Sequence, residues 1–127
     1  MQLGAFSISL SVENIHASKA FYETLGFATI GGDIDQNWLI LRNGSATIGL
    51  FHGMFEGNML TFNPGWSPDA QPLDAFDDVR SIQAHLQTAG ISLDMQADPG
   101  STGPAHLALK DPDGNGIFID QHVDKPD

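Results

Sequence analysis

Residues 6–27 read Phe6-Ser7-Ile8-Ser9-Leu10-Ser11-Val12-Glu13-Asn14-Ile15-His16-Ala17-Ser18-Lys19-Ala20-Phe21-Tyr22-Glu23-Thr24-Leu25-Gly26-Phe27, and two periodicities meet inside them. From Phe6 to Val12, apolar and small polar residues alternate, which is the period of a half-buried strand. Ile8, Leu10 and Val12 are expected to face a core, with Ser7, Ser9 and Ser11 on the other side. Asn14 has the side chain of a helix N-cap. Ile15, Ser18, Phe21, Tyr22 and Leu25 follow at helical spacing, and Gly26 is placed to end the helix in a left-handed conformation. A strand therefore runs into a helix.

Working outward, residues 27–30, 37–42 and 46–52 read as three further strands, punctuated by the turn-forming pairs Gly31-Gly32 and Asn43-Gly44. The first module is strand, helix and three strands, over about residues 1–55. The second half repeats the pattern. Ala20-Phe21-Tyr22-Glu23-Thr24-Leu25-Gly26-Phe27 aligns with Ala84-His85-Leu86-Gln87-Thr88-Ala89-Gly90-Ile91 at an offset of 64, which also pairs Ile15 with Val79 and Asn14 with Asp78. Ile48-Gly49-Leu50 aligns with Ile117-Phe118-Ile119 at an offset of 69. A second module over about 58–123 follows, its opening strand placed at Met59-Leu60-Thr61-Phe62-Asn63, although the offset of the repeat alone would put it near 71–76. An extra loop covers 64–75, and a helix runs from Asp77 or Asp78 to Ala89. Strands are expected near 92–96, 105–110 and 116–121. One domain spanning 1–127 is expected.

The composition excludes several function classes. The chain has no Cys, which removes disulfides, thiolate metal sites and cysteine nucleophiles. Its net charge of −11 is uneven, −3 over residues 1–63 and −8 over 64–127, so a basic nucleic-acid footprint is missing. An acidic surface suits solubility and can steer a cationic ligand. No apolar stretch approaches the about 20 residues that span a bilayer, and the N-terminus lacks a basic region followed by an apolar run. A cytoplasmic location is the expectation.

The run Leu10-Ser11-Val12-Glu13-Asn14-Ile15, then Ser18 and Phe21-Tyr22-Glu23-Thr24-Leu25-Gly26-Phe27, resembles a signature of the vicinal oxygen chelate family. Asp111-Pro112-Asp113-Gly114-Asn115 before Ile117-Phe118-Ile119 is similar to that family's turn before the last strand. The family includes glyoxalase I, extradiol dioxygenases, fosfomycin-resistance enzymes and bleomycin-resistance proteins. The resemblance implies an α+β fold, with two βαβββ modules forming a cupped mixed sheet around one cleft. It also implies a homodimer and four cleft-facing metal positions. Those positions fall on Ser7, Gly49, Met59 and Phe118, none of which is a zinc or hard-metal ligand. No metal and no cofactor is expected.

Two functional readings remain. The first is a module that binds or sequesters a small organic molecule, aromatic or cationic, of the bleomycin-resistance kind. Its cleft takes Ser7 and Ser9 from the first strand, and Trp38, Thr47, Gly49 and Phe51 from the third and fourth. Met59, Thr61 and Asn63 come from the fifth, His106 and Phe118 from the last two. Aromatic and Met walls supply apolar contact while Ser, Thr and Asn orient the ligand. The second reading is an enzyme: lyase or dioxygenase chemistry with displaced ligands, or metal-free acid–base chemistry at His106 and Asp120. His106 is opposite in parity to Leu107 and Leu109, and Asp120 shares the parity of Phe118. The stretch Asp111 to Gly116 imitates a calcium loop, but Pro112 and His122 break the pattern and a tight turn is expected. The Pro- and Gly-rich loop is expected to cover the cleft mouth, with Trp66 either stacking on ligand or packing on its own chain or a dimer interface.

Overall fold

The computed structural model describes all 127 residues. They form two compact units, Ser7–Met59 in one and Met1–Phe6 with Leu60–Asp127 in the other. The architecture is α+β, with two helices and seven strands.

The first unit carries β1 (Ala5–Ser11, from Ser7 on), α1 (Ile15–Thr24), β2 (Ala28–Asp33), β3 (Trp38–Asn43) and β4 (Ala46–Phe51), with a 3-10 turn at Ile34–Gln36. Strand order is β2-β3-β4-β1, antiparallel except for the parallel β1–β4 pair. Leu39, Leu41 and Leu50 are buried with Ile15 of α1, and Leu10, Val12, Tyr22, Phe27 and Ile48 pack around them. Leu10 and Val12 thus lie on the core side expected from the alternation in β1, whereas Ile8 is half-buried outside this cluster and Ser9 is buried. The second unit carries β5 (Met59–Asn63, from Leu60 on), α2 (Val79–Thr88), β6 (Ala105–Lys110) and β7 (Gly116–Gln121), in the order β5-β7-β6. Its core is Val79, Ile82, Leu107, Leu109 and Ile119.

The repeat extends to the helix ends. Asn14 caps α1 through a bond from the Ala17 amide, and Asp78 caps α2 through a bond from the Arg80 amide. Both helices close with the same double bond, Gly26 N–H to Glu23 and Phe27 N–H to Tyr22 in α1, Gly90 N–H to Gln87 and Ile91 N–H to Leu86 in α2. This is the glycine-stopped motif that satisfies the last free carbonyls of a helix, and it recurs 64 residues on.

Two sequence expectations need correction. Gly31-Gly32 is not a turn. β2 continues to Asp33 with a bulge between Thr29 and Gly31. A Cβ at Gly32, which has φ +89°, would lie 2.7 Å from the Trp38 carbonyl oxygen, so the glycine permits close approach of β3. The reversal is made instead by Asp33, whose side chain accepts from the Asp35 amide, and by left-handed Asn37. Residues 92–96 are not a strand either. Only Met95 forms a bridge, to Ala108. The reason is tertiary: buried Gln83 of α2 accepts from the Ala97 amide at 2.7 Å and donates to the Ala97 carbonyl at 2.9 Å. That reciprocal pair draws the chain off the edge of β6.

Around α2 a buried network fixes the end of β7. Gln121 accepts from the Val79 amide at 2.7 Å and donates to Asp78 at 2.8 Å, while Arg80 pairs with Asp78 at 2.7 Å. Burial pushes the Asp78 carboxyl up, but the bonds from Gln121 and Arg80 and the Arg80 charge outweigh it, and its pKa lies below the ordinary carboxylate value. No helix is long and apolar enough to cross a membrane.

Candidate functional site

Strand register sorts the first unit's side chains into two faces. Ser9 stands beside Gly49 and Ile40, Ser11 beside Phe51 and Trp38, and Thr47 beside Arg42. These residues lie on the face away from the Leu39–Leu41–Leu50 core, because side chains alternate along each strand. The face has an aromatic end. Trp38 and Phe51 stack nearly parallel, 10° apart with centroids at 6.4 Å, and Phe55 leans on Phe51 at 5.3 Å. Ser11 positions Phe55: its hydroxyl donates to the Phe55 carbonyl at 3.0 Å and its amide to Asn58 Oδ1 at 3.1 Å. The other end is polar, where Arg42 Nε donates to Thr47 Oγ1 at 3.1 Å. Trp38, Thr47, Phe51 and Phe55 are half-buried, whereas Ser9 is buried.

Gly49 lies under this wall. A Cβ built there would sit 2.5 Å from Phe51 Cε2 and 3.3 Å from Ile40 Cδ1. The Phe51 ring thus occupies the space that a side chain at position 49 needs. Glycine here is a packing requirement of the aromatic wall, since Gly49 does not have a positive φ.

In the second unit, β6–β7 register places His106 opposite Asp120 and Ala108 opposite Phe118. The His106 and Phe118 rings meet at 5.3 Å. Asn63 donates through Nδ2 to the Asp120 carbonyl at 2.9 Å. Asp120 finds its ionic partner in His122, Oδ2 to Nε2 at 3.0 Å, a residue the sequence reading did not select. The usable signal was the spacing Asp120-x-His122, which puts both on one face of an extended chain. His122 in turn stacks on Trp66, 5° from parallel at 4.5 Å. One face of the indole is therefore covered by its own chain. Thr61 is buried and Met59 half-buried. Beside Trp66 runs a groove lined by Leu3, Gly4, Ser67, Pro68 and Leu73.

Arg42 was also missed, although its parity with Trp38 along β3 was legible. Its guanidinium holds Thr47 at the polar end of this face.

The four positions that the resemblance assigns to metal ligands carry side chains that do not fit a metal ion. Gly49 has no donor and no room for one, Phe118 is a ring packed on His106, and Ser7 and Met59 are poor ligands. No group of three or more His, Asp or Glu side chains is arranged to hold a metal.

Comparison with known proteins places this geometry. The sequence profile of the Glyoxalase/Bleomycin resistance protein/Dioxygenase superfamily matches residues 4–119. Among solved structures, a member of that superfamily from Vibrio splendidus is similar at 14% identity and TM-score 0.63, over 91% of this chain and 97% of its own. A methylmalonyl-CoA epimerase from Streptomyces coelicolor is similar at 15% identity and TM-score 0.63, over 95% and 99%. A Mn(II)-bound glyoxalase from Novosphingobium aromaticivorans is similar at 17% identity and TM-score 0.54, over 94% of this chain and 39% of that one. At these identities the structures share the fold. No curated protein sequence matches. With the profile spanning nearly the whole sequence, the chain belongs to the Glyoxalase/Bleomycin resistance protein/Dioxygenase superfamily.

Proposed function

We propose that the chain binds a small planar aromatic molecule without a metal, on the face built by β1, β3 and β4. The observation that carries this reading is the Phe51 ring lying where a side chain at position 49 would go. A position that the family resemblance assigns to a carboxylate metal ligand is here given to an aromatic surface continuous with Trp38 and Phe55. Offset stacking and apolar burial on such a wall contribute most of the contact. Thr47 at the polar end, bonded to Arg42, favours a ligand with a hydrogen-bonding substituent.

The test is a fluorescence titration. In a Trp66→Phe background Trp38 is the sole tryptophan. Planar aromatic acids are titrated in, and at least one is expected to quench Trp38 saturably. The further change Phe51→Ala should weaken binding at least tenfold. Quenching that is never saturable, or is unaffected by Phe51→Ala, removes the proposal.

We also propose a homodimer. Phe21, Leu25 and Ile30 are each more than half exposed, and β2 is an edge strand with one partner. Apolar surface and an open strand edge both favour pairing with a second copy.

A further inference from the structure

Residues 64–73 form a small self-bonded hairpin. Trp66 bridges Pro72, Leu73 donates to the Gly65 carbonyl, and Ser67 and Gln71 bond each other. Ala70 at its tip is held at φ 57°, a conformation that costs an L-residue energy. The base of the hairpin is packed tightly, since Gly65 leaves no room for a Cβ against Val123 and Phe76. Besides its bridge to Pro72, Trp66 donates its amide to the Asn63 carbonyl at 3.2 Å. Its carbonyl accepts from the Ala5 amide at 3.0 Å, and its indole stacks on His122. Of these contacts, the one with His122 can titrate.

We propose that His122 is a proton-operated clasp that holds the Trp66 hairpin closed when protonated and loosens it when neutral, changing access to the groove lined by Leu3, Trp66, Pro68 and Leu73. A protonated imidazole both pairs with Asp120 at 3.0 Å and presents a cation to the face of the indole. Deprotonation keeps the stacked shape but removes the ion pair and the cation–π attraction. His122 is 46% exposed, so the proton exchanges with solvent directly. The Asp120 hydrogen bond, joined by its charge, outweighs burial and raises the imidazole above its usual value. The raised value fixes the sign: the clasp is complete below the ordinary histidine value and is lost as pH rises through the folded value. Of the charged and titratable groups nearby, Asp120 is in contact. His106 faces Asp120 across the β6–β7 pair, and Asp124 and Lys125 follow on the same segment. Asp69 lies in the hairpin.

The experiment is an NMR pH titration of the full chain. It follows the His122 ring, the Trp66 indole N–H, and amide exchange over residues 66–73 corrected for its intrinsic pH dependence. All three should share one midpoint, above that of a free imidazole. Protection over 66–73 should fall roughly two- to fivefold on the alkaline side, the size of a cation–π contact at an exposed site. In Asp120→Asn the three midpoints should move down together. In His122→Phe, which keeps a flat ring against Trp66, the pH dependence of the hairpin should disappear. Hairpin protection that ignores the His122 midpoint, or that keeps its pH dependence in His122→Phe, overturns the proposal.

Discussion

Replacing Gly49 by Ala tests the packing on which the aromatic wall depends. The new methyl would lie 2.5 Å from Phe51 Cε2, 3.1 Å from Cζ and 3.3 Å from Ile40 Cδ1. Carbon atoms in ordinary contact stand about 3.5–4.0 Å apart, so the ring must retreat by about 1 Å. It cannot retreat freely, because Trp38 stacks on it and Phe55 leans against it. Overpacking of this kind costs about 1–3 kcal/mol, to which a fraction of each displaced aromatic pair, about 0.5–1.5 kcal/mol when intact, is added. Against this, alanine in a strand gains about 0.5–1 kcal/mol over glycine through the unfolded chain. The net expectation is a loss of about 1–3 kcal/mol. The assay is urea unfolding of wild type, Gly49→Ala, Phe51→Ala and the double variant. With Phe51 removed, Gly49→Ala should be neutral or stabilising, giving a coupling of about 1–3 kcal/mol. Equal losses in both backgrounds would refute the claim that Phe51 dictates glycine at this position.

Other outcomes follow from the same structure. Asn14→Ala should lower unfolding free energy by about 1 kcal/mol through loss of the α1 cap, measured by urea melts. Because the Asp78 pKa is depressed on folding, its contribution is complete above the ordinary carboxylate value and lost as pH falls through the folded value. Wild-type stability should therefore fall more steeply in acid than that of Asp78→Asn, which starts lower at neutral pH because buried Arg80 loses its partner. Light scattering at micromolar concentration should give twice the mass of the 13.6 kDa chain, and a monomer would contradict the dimer. The pair Gly49→Glu and Ser7→His should not bind zinc or nickel with submicromolar affinity in calorimetry, since two ligands do not complete a site and Phe51 crowds the first.

Elements set by local chemistry were legible in the sequence. Both helices were, because an N-cap, helical spacing and a terminal glycine are local signals, and the second copy repeats them at Asp78 and Gly90. β5 runs over Met59–Asn63, one of the two placements the sequence left open, and the offset of the repeat pointed to the other. What escaped depended on contacts between distant residues. The strand expected at 92–96 is undone by Gln83, fourteen residues before Ala97. Gly31-Gly32 looked like a turn because paired glycines usually are one, whereas here they serve a bulge. The parity of Phe51 showed which face it occupied, but nothing in the sequence reported that its ring folds back over Gly49. His122 was passed over as a failed calcium ligand, and its role emerges only when Trp66 is brought against it.

The most direct measurement of the binding claim is a chemical-shift titration with a planar aromatic acid in the presence of a chelator, following the Trp38 indole and the Phe51 and Phe55 rings. Saturable shifts centred on these three residues, undiminished by the chelator, are the expected result. Binding that vanishes in chelator and returns with a divalent ion, or shifts that bypass all three rings, would contradict a metal-free aromatic site.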